Sequence, residues 1–275
     1  MGAVGRYTFL VLVALLTLVP LMYAFFGAFK TLAELLKSGA TLLPIDWTTE
    51  NFRAAWTSGG FSRYVLNSVV VSAIVVSVTV FAATSAGYVM ARVPIPGRRI
   101  ILAMLGGALF LGLGTATLFP RLLIAKSLGL LNLVGVALVE VSGLVIVQTF
   151  LARAFAESLP RELEEAALVD GCGLLSAFWH IALPLLRPIS STIAILAFQA
   201  SWNGFQIPLV FTLGDSSLRT LPVGVYTAAA AAGDGVYNYA LLLAGTVLAL
   251  TPVITLFVIA QGKMIDGLVE GALRQ

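Results

Sequence analysis

The densest run of ionisable side chains in this sequence is Leu159-Pro160-Arg161-Glu162-Leu163-Glu164-Glu165-Ala166-Ala167-Leu168-Val169-Asp170-Gly171. Five of the 13 acidic residues (Glu157, Glu162, Glu164, Glu165 and Asp170) fall in or beside it. Pro160 and the glutamates behind it suit the positive end of a helix, and Gly171 suits its abrupt stop. A second short helix is expected over 174–183, with Phe178 and Ile181 on one face. Leu183-Pro184 and Pro188 then re-aim the chain. Helix, turn and helix would form a knob whose small alanines let another surface approach closely. A solvated connector with an incidental acidic run fits the same residues. Nucleophilic or metal chemistry finds no support here. Cys172 and His180 are each the sole residue of their type, which excludes an intrachain disulfide, a paired-histidine site and a cysteine-based metal site. Nor does the run offer either of them a partner for a catalytic dyad.

Further candidates lie inside apolar runs. Glu140 sits in one of them, where a carboxylate costs ~2.5–3.5 kcal/mol and therefore faces a cavity or a partner. It could line a path for solute, pair with Lys126 near the interface, or contact another subunit. Gln199, Trp202 and Asn203 form a polar and aromatic group in a later run. Hydroxyl-rich solutes are held by hydrogen bonds and by stacking on aromatic faces, so a Trp-Asn pair suits them. Trp202 also stands at helical spacing from Phe198 and Phe205, which suits packing equally well.

The elements that must position these residues follow from composition. Of 275 residues 59% are hydrophobic and 11% charged, with a mean hydropathy of +1.01. Soluble domains carry about 25% charged residues. An ordinary soluble enzyme and a disordered linker are both excluded, which leaves a polytopic membrane protein. Six apolar runs are each long enough to cross a bilayer: Tyr7–Phe29, Tyr64–Met90, Ile100–Phe119, Leu133–Leu151, Ile189–Leu213 and Tyr239–Gln261. The first exceeds a signal-peptide core and lacks a small-residue cleavage site, so it is expected to stay as a helix, bent at Pro20. Arg92, Arg98 and Arg99 crowd one short turn and place it in the cytoplasm. Alternation then puts both termini and the segment 157–188 inside, and the loops 30–63 and 212–238 outside. Residues 1–275 read as a single membrane domain. The net charge of +3 is small and dispersed, so nucleic acid is not an expected partner. An ion-coupled secondary transporter would call for several buried acids and inverted repeats, and only Glu140 stands out.

Glu165-Ala166-Ala167, Asp170-Gly171, Phe178, Ile181, Leu183-Pro184 and Pro188 resemble, position for position, the EAA motif of permeases in ATP-binding-cassette importers. Trp47-Thr48-Thr49-Glu50-Asn51-Phe52, Asn67-Ser68, Gly87-Tyr88, Gly129-Leu130-Leu131-Asn132, Trp202-Asn203 and the tail Gly262–Ala272 are similar to the carbohydrate-uptake branch, and within it to the six-helix permease of the maltose-transporter type. Gly204 departs from the acidic or larger residue usual after Trp-Asn, and Arg274-Gln275 departs from the usual ending. The resemblance implies the all-α type I importer fold (MetI-like) in a prokaryotic inner membrane. It implies a second homologous permease as heterodimer partner, two ATPase subunits that hold the ATP and magnesium, and an extracytoplasmic solute-binding protein. This chain would bind no cofactor and catalyse no reaction. Glu164, Glu165, Ala166, Ala167, Asp170, Gly171, Phe178, Ile181, Leu183 and Pro184 would couple to the ATPase. Gly267, Glu270 and Gly271 would be a second contact with it. Glu140, Gln199, Trp202 and Asn203 would line the path of a carbohydrate. Glycerol phosphate, a polyol or an amino sugar are the alternative cargoes.

Overall fold

Because no water is available in the bilayer core, each span must satisfy its own backbone, and the described residues are accordingly helical through most of their apolar runs. The computed structural model describes residues 3–37, 41–58, 60–110, 114–169, 171–231 and 237–272. The elements are α1 (Ala3–Gly27), α2 (Leu32–Lys37), α3 (Glu50–Ser58), α4 (Phe61–Arg92), α5 (Arg98–Phe110), α6 (Leu118–Ser127), α7 (Leu133–Ser158), α8 (Glu162–Val169), α9 (Leu174–Ala177), α10 (Leu183–Leu185), α11 (Arg187–Trp202), α12 (Gln206–Phe211), α13 (Leu221–Ala231) and α14 (Tyr239–Ala272). Among them α1, α4 and α7 are long and apolar enough to cross a membrane, so the protein is an all-α, multi-pass membrane protein. Pro20 lies within a continuous α1. None of the most apolar stretch of α1 is buried by the rest of the chain, as a lipid-facing helix requires.

Several expected boundaries shift. The run Ile100–Phe119 divides into α5 and α6, and Pro120 lies in the first turn of α6, where a proline is tolerated. The run Ile189–Leu213 divides at Asn203–Phe205 into α11 and α12. The segment 212–238 contains α13, whose apolar sequence Leu221–Ala231 was expected only as loop.

Contacts group the chain into two compact units. One comprises Met1–Leu66 with Arg219–Thr255. Its tightest feature is a knot after α1. Lys30 is fully buried, and its ammonium donates to the Thr41 hydroxyl at 2.8 Å and to the Thr41 carbonyl. Glu34 lies 3.9 Å from that ammonium and accepts the Ile45 N–H at 2.9 Å. Asn51 donates to the carbonyls of Ala28 and Lys30 at 2.9 and 2.7 Å. Phe29 packs on Trp47 and Phe52 over the same turn. A buried charge needs partners of this kind, and here they are local.

The other unit comprises Asn67–Leu218 with Leu256–Gln275. Its core is a series of small clusters along α4 and α7. Val71 and Val75 meet Val136, Ala137, Val141, Ala125 and Phe211. Ala83 meets Ala152 and Ile193. Tyr88 and Ala91 meet Ala156, Phe178, Ala182 and Leu186. Between the last two clusters Gly87 lies so close to α7 that a Cβ there would stand 2.6 Å from the Ala152 Cβ and 2.7 Å from the Arg153 backbone nitrogen. Small residues at such crossings let membrane helices pack backbone to backbone.

Candidate functional site

Two features of the second unit collect the residues singled out above. The first is the knob. Glu162–Val169 form α8, and the Glu165 N–H bonds back to the Arg161 carbonyl at 3.0 Å. Gly171 takes φ +83, a left-handed value that costs other residues a Cβ clash, and the Cys172 N–H closes onto the Ala167 carbonyl at 2.9 Å. After α9 the chain makes a π-helical turn over Phe178–Ala182 and then α10. The helices on either side of Leu186 are bent by 72°, where Pro184 and Pro188 flank the break.

The knob is pinned at its base. Phe178 is buried against Tyr88, ring centroids 5.2 Å apart. The Arg92 guanidinium, at the end of α4, donates to the Leu159 carbonyl just before α8. Ala167 is buried, while Ala166 and Glu165 are exposed. Thus of the two small alanines one holds the helix down and the other faces outward. Val169 and Leu175 are 88% and 73% exposed, an apolar surface at the far side of the knob. Ile181, Leu183 and Pro184 are half-buried. His180 is exposed and Cys172 half-buried. Asp170, and the side chains of Glu164 and of the tail residues Gly267, Glu270 and Gly271, lie outside the described residues.

The second feature is a cavity of about 480 Å³ lined by Glu140, Asn203, Gly204, Phe205, Gln206 and neighbours. Glu140 is only 7% exposed, on α7. Its Oε2 accepts the Ser201 hydroxyl at 2.6 Å, and Ser201 in turn accepts from Ser72 at 3.4 Å. Its Oε1 is buried without a donor among the described residues. A Cβ at Gly204 would stand 2.6 Å from that oxygen and 2.9 Å from the Ser201 carbonyl, so glycine there makes the room for the carboxylate. Ser201, not Lys126, is the side chain that holds Glu140. Asn203 is exposed, lines the cavity and donates to the Gln199 carbonyl at 2.9 Å. Trp202 is 3% exposed and stacked on Phe198, centroids 5.4 Å apart. It packs the helix and is absent from the cavity wall, whereas Gln206 and Phe205 line it. Ser201 escaped the sequence reading. The helix spacing between Ser201 and Trp202-Asn203 gives no hint that a serine caps an acid 61 positions away.

Apolar spans around a buried carboxylate and an open cavity, with a polar helical knob at the ends of two of them, have the build of a membrane permease. Residues 8–265 match the family model described as "Binding-protein-dependent transport system inner membrane component", and the chain belongs to that family. It is thus the permease subunit of an ATP-binding-cassette importer, which works with an ATPase and a solute-binding protein. It is 32% identical to the probable ABC transporter permease protein YurM of Bacillus subtilis, over 99% of this chain and 89% of that one. It is 33% identical to the diacetylchitobiose uptake system permease protein NgcG of Streptomyces coelicolor, over 98% and 88%. A crystal structure of a bacterial ABC transporter that imports the acidic polysaccharide alginate contains a chain of the same fold, with a TM-score of 0.77 over 94% of this chain and 95% of that one at 22% identity.

Proposed function

We propose that this subunit moves a carbohydrate across a prokaryotic inner membrane, with energy delivered through the knob as in the maltose-type branch. In this reading six spans cross the bilayer, and both termini and the knob are cytoplasmic. A second, homologous permease completes the pathway as a heterodimer, and two ATPase subunits sit below it. Glu165, Ala166 and Glu164 face the ATPase. Ala167 and Phe178 seat the knob on α4 and α7, and Ile181, Leu183 and Pro184 carry it into α11. Asp170 and Gly171 hold the turn. Gly267, Glu270 and Gly271 provide a second ATPase contact. The observation that carries the reading is the combination of an outward Glu165 and Ala166 with a base clamped by Phe178, Tyr88 and Arg92. A knob held this firmly transmits a push instead of absorbing it.

The carbohydrate class rests on relatives that include uptake permeases for diacetylchitobiose and for arabinooligosaccharides. Glu140, Asn203 and Gln199 are proposed to face the path, joined by Gln206 and Phe205. Trp202 acts by bracing α11. The cavity wall holds a carboxylate and no guanidinium or ammonium group among the described residues. This favours an uncharged or amino sugar, or a polyol, over glycerol phosphate.

The test is solute uptake by the complete transporter. Glu165→Lys or Gly171→Pro should lower uptake at least tenfold while the permease still co-purifies with the ATPase or loses it. Full uptake in both variants would end the coupling assignment.

A further inference from the structure

The ends of α4 and α7 that carry the knob also carry a feature that coupling does not use. A cavity of about 630 Å³ is lined by Arg98, Arg99 and Arg153 together with Ile95, Ile100 and Leu102. Arg98 and Arg153 both donate to a single oxygen of Glu157, at 3.0 and 2.9 Å. Arg99 has no ion pair among the described residues and is exposed. Three guanidiniums, always protonated, therefore answer to one carboxylate, and the pocket keeps a positive excess. Its depth is set by the helices. Arg92 ends one span and Ser158 ends another, so the arginines stand where hydrocarbon gives way to headgroups. Directly along α5 from the pocket, Ile100 and Met104 present an apolar stripe, 67% and 71% exposed and one turn apart. The pocket thus offers positive charge first and an apolar ladder behind it.

We propose that this pocket binds the headgroup of an anionic phospholipid, whose acyl chains lie along the Ile100–Met104 face of α5. Charge complementarity selects the phosphate, and the apolar stripe selects a lipid over a free anion. Basic pockets at the membrane boundary hold such headgroups through charge, at a few-fold in affinity per arginine. A nucleic acid would gain nothing from the stripe, and an acidic protein loop would leave it uncovered.

The experiment uses the complete transporter purified in detergent and native mass spectrometry, with phosphatidylglycerol and phosphatidylcholine offered in equal amounts. Wild type should retain phosphatidylglycerol selectively. Arg99→Gln breaks no ion pair and should lower that retention about fivefold without changing phosphatidylcholine. The double variant Arg98→Gln with Arg153→Gln should lower it further. Excess inorganic phosphate should fail to displace the lipid. Equal retention of both lipids, or an unchanged Arg99→Gln, would overturn the proposal. Displacement by inorganic phosphate would make the pocket a free-anion site. Loss of the ATPase subunit in Arg99→Gln, with lipid retention unchanged, would make it a protein-docking surface.

Discussion

Replacing Glu140 by leucine separates a carboxylate kept for transport from one kept for folding. Removing the acid relieves a burial cost of at most ~2.5–3.5 kcal/mol, the cost at the centre of a span, since Glu140 lies about two turns inside α7. It also removes the 2.6 Å bond from Ser201, and hydrogen bonds to charged groups contribute about 1.5–3 kcal/mol. The freed Ser201 hydroxyl keeps only the longer contact with Ser72, at 3.4 Å. Leucine places no atom where Oε1 crowds Gly204, so no overlap is added. The opposing terms leave a net change of at most about 2 kcal/mol in either direction. For a chain of this size 1 kcal/mol moves the melting temperature by roughly 2–4 °C. Glu140→Leu is therefore expected to melt within about 8 °C of wild type, while solute uptake by the assembled transporter falls tenfold or more. Glu140→Gln keeps the shape and the bond from Ser201, and reads the charge alone. Thermal unfolding of the purified complex and uptake in vesicles measure the two quantities. Full uptake in Glu140→Leu would refute the path assignment, and a melting point lowered by more than about 10 °C would refute the energetic argument.

Two glycines on paired helices should behave oppositely. Gly87→Ala drives a Cβ into the Ala152 Cβ and the Arg153 backbone at 2.6 and 2.7 Å, costing about 1–3 kcal/mol beyond the ~1 kcal/mol gained in helix propensity. Gly143→Ala meets nothing within 4 Å and should be neutral or slightly stabilising, so a scan that ranks them the other way contradicts the close crossing. Asn51→Ala orphans the carbonyls of Ala28 and Lys30, a loss of about 1–3 kcal/mol. It should speed amide exchange at Thr48, whose N–H bonds to the Phe29 carbonyl at 2.9 Å. Unchanged exchange there would mean that Lys30 and Glu34 suffice to hold the knot.

Much of the knob was legible because its signals are local. Pro160, Gly171, Pro184 and Pro188 restrict the backbone at their own positions, and the structure puts a helix, a left-handed turn and a 72° break where they stand. The π-helical turn at Phe178–Ala182 was not legible, since nothing in the residue types marks one extra residue per turn. The division of Ile100–Phe119 into two helices escaped hydropathy for the same reason: apolarity reports that a run is buried in lipid, not that it is continuous. The Ser201 partner of Glu140 was not legible because it depends on the approach of α11, which no local pattern encodes. Lys30 and Glu34, four residues apart in sequence, were a readable pair, but polarity alone placed residues 30–63 only as a loop outside the bilayer.

Glu140 and Ala156 lie on the same helix, 16 positions apart, hence about 24 Å along one axis. Near the second of these points Gly87 and Ala152 bring α4 into contact too close for either helix to slide without lifting off the other. The pair therefore behaves as a single stiff strut, incompressible over its length as packed interiors are. If the proposed coupling holds, a displacement applied at the knob would be carried along this strut toward the carboxylate. Under that proposal the length of α7 between the two points sets the lever arm, and inserting or deleting a turn of α7 would change the stroke.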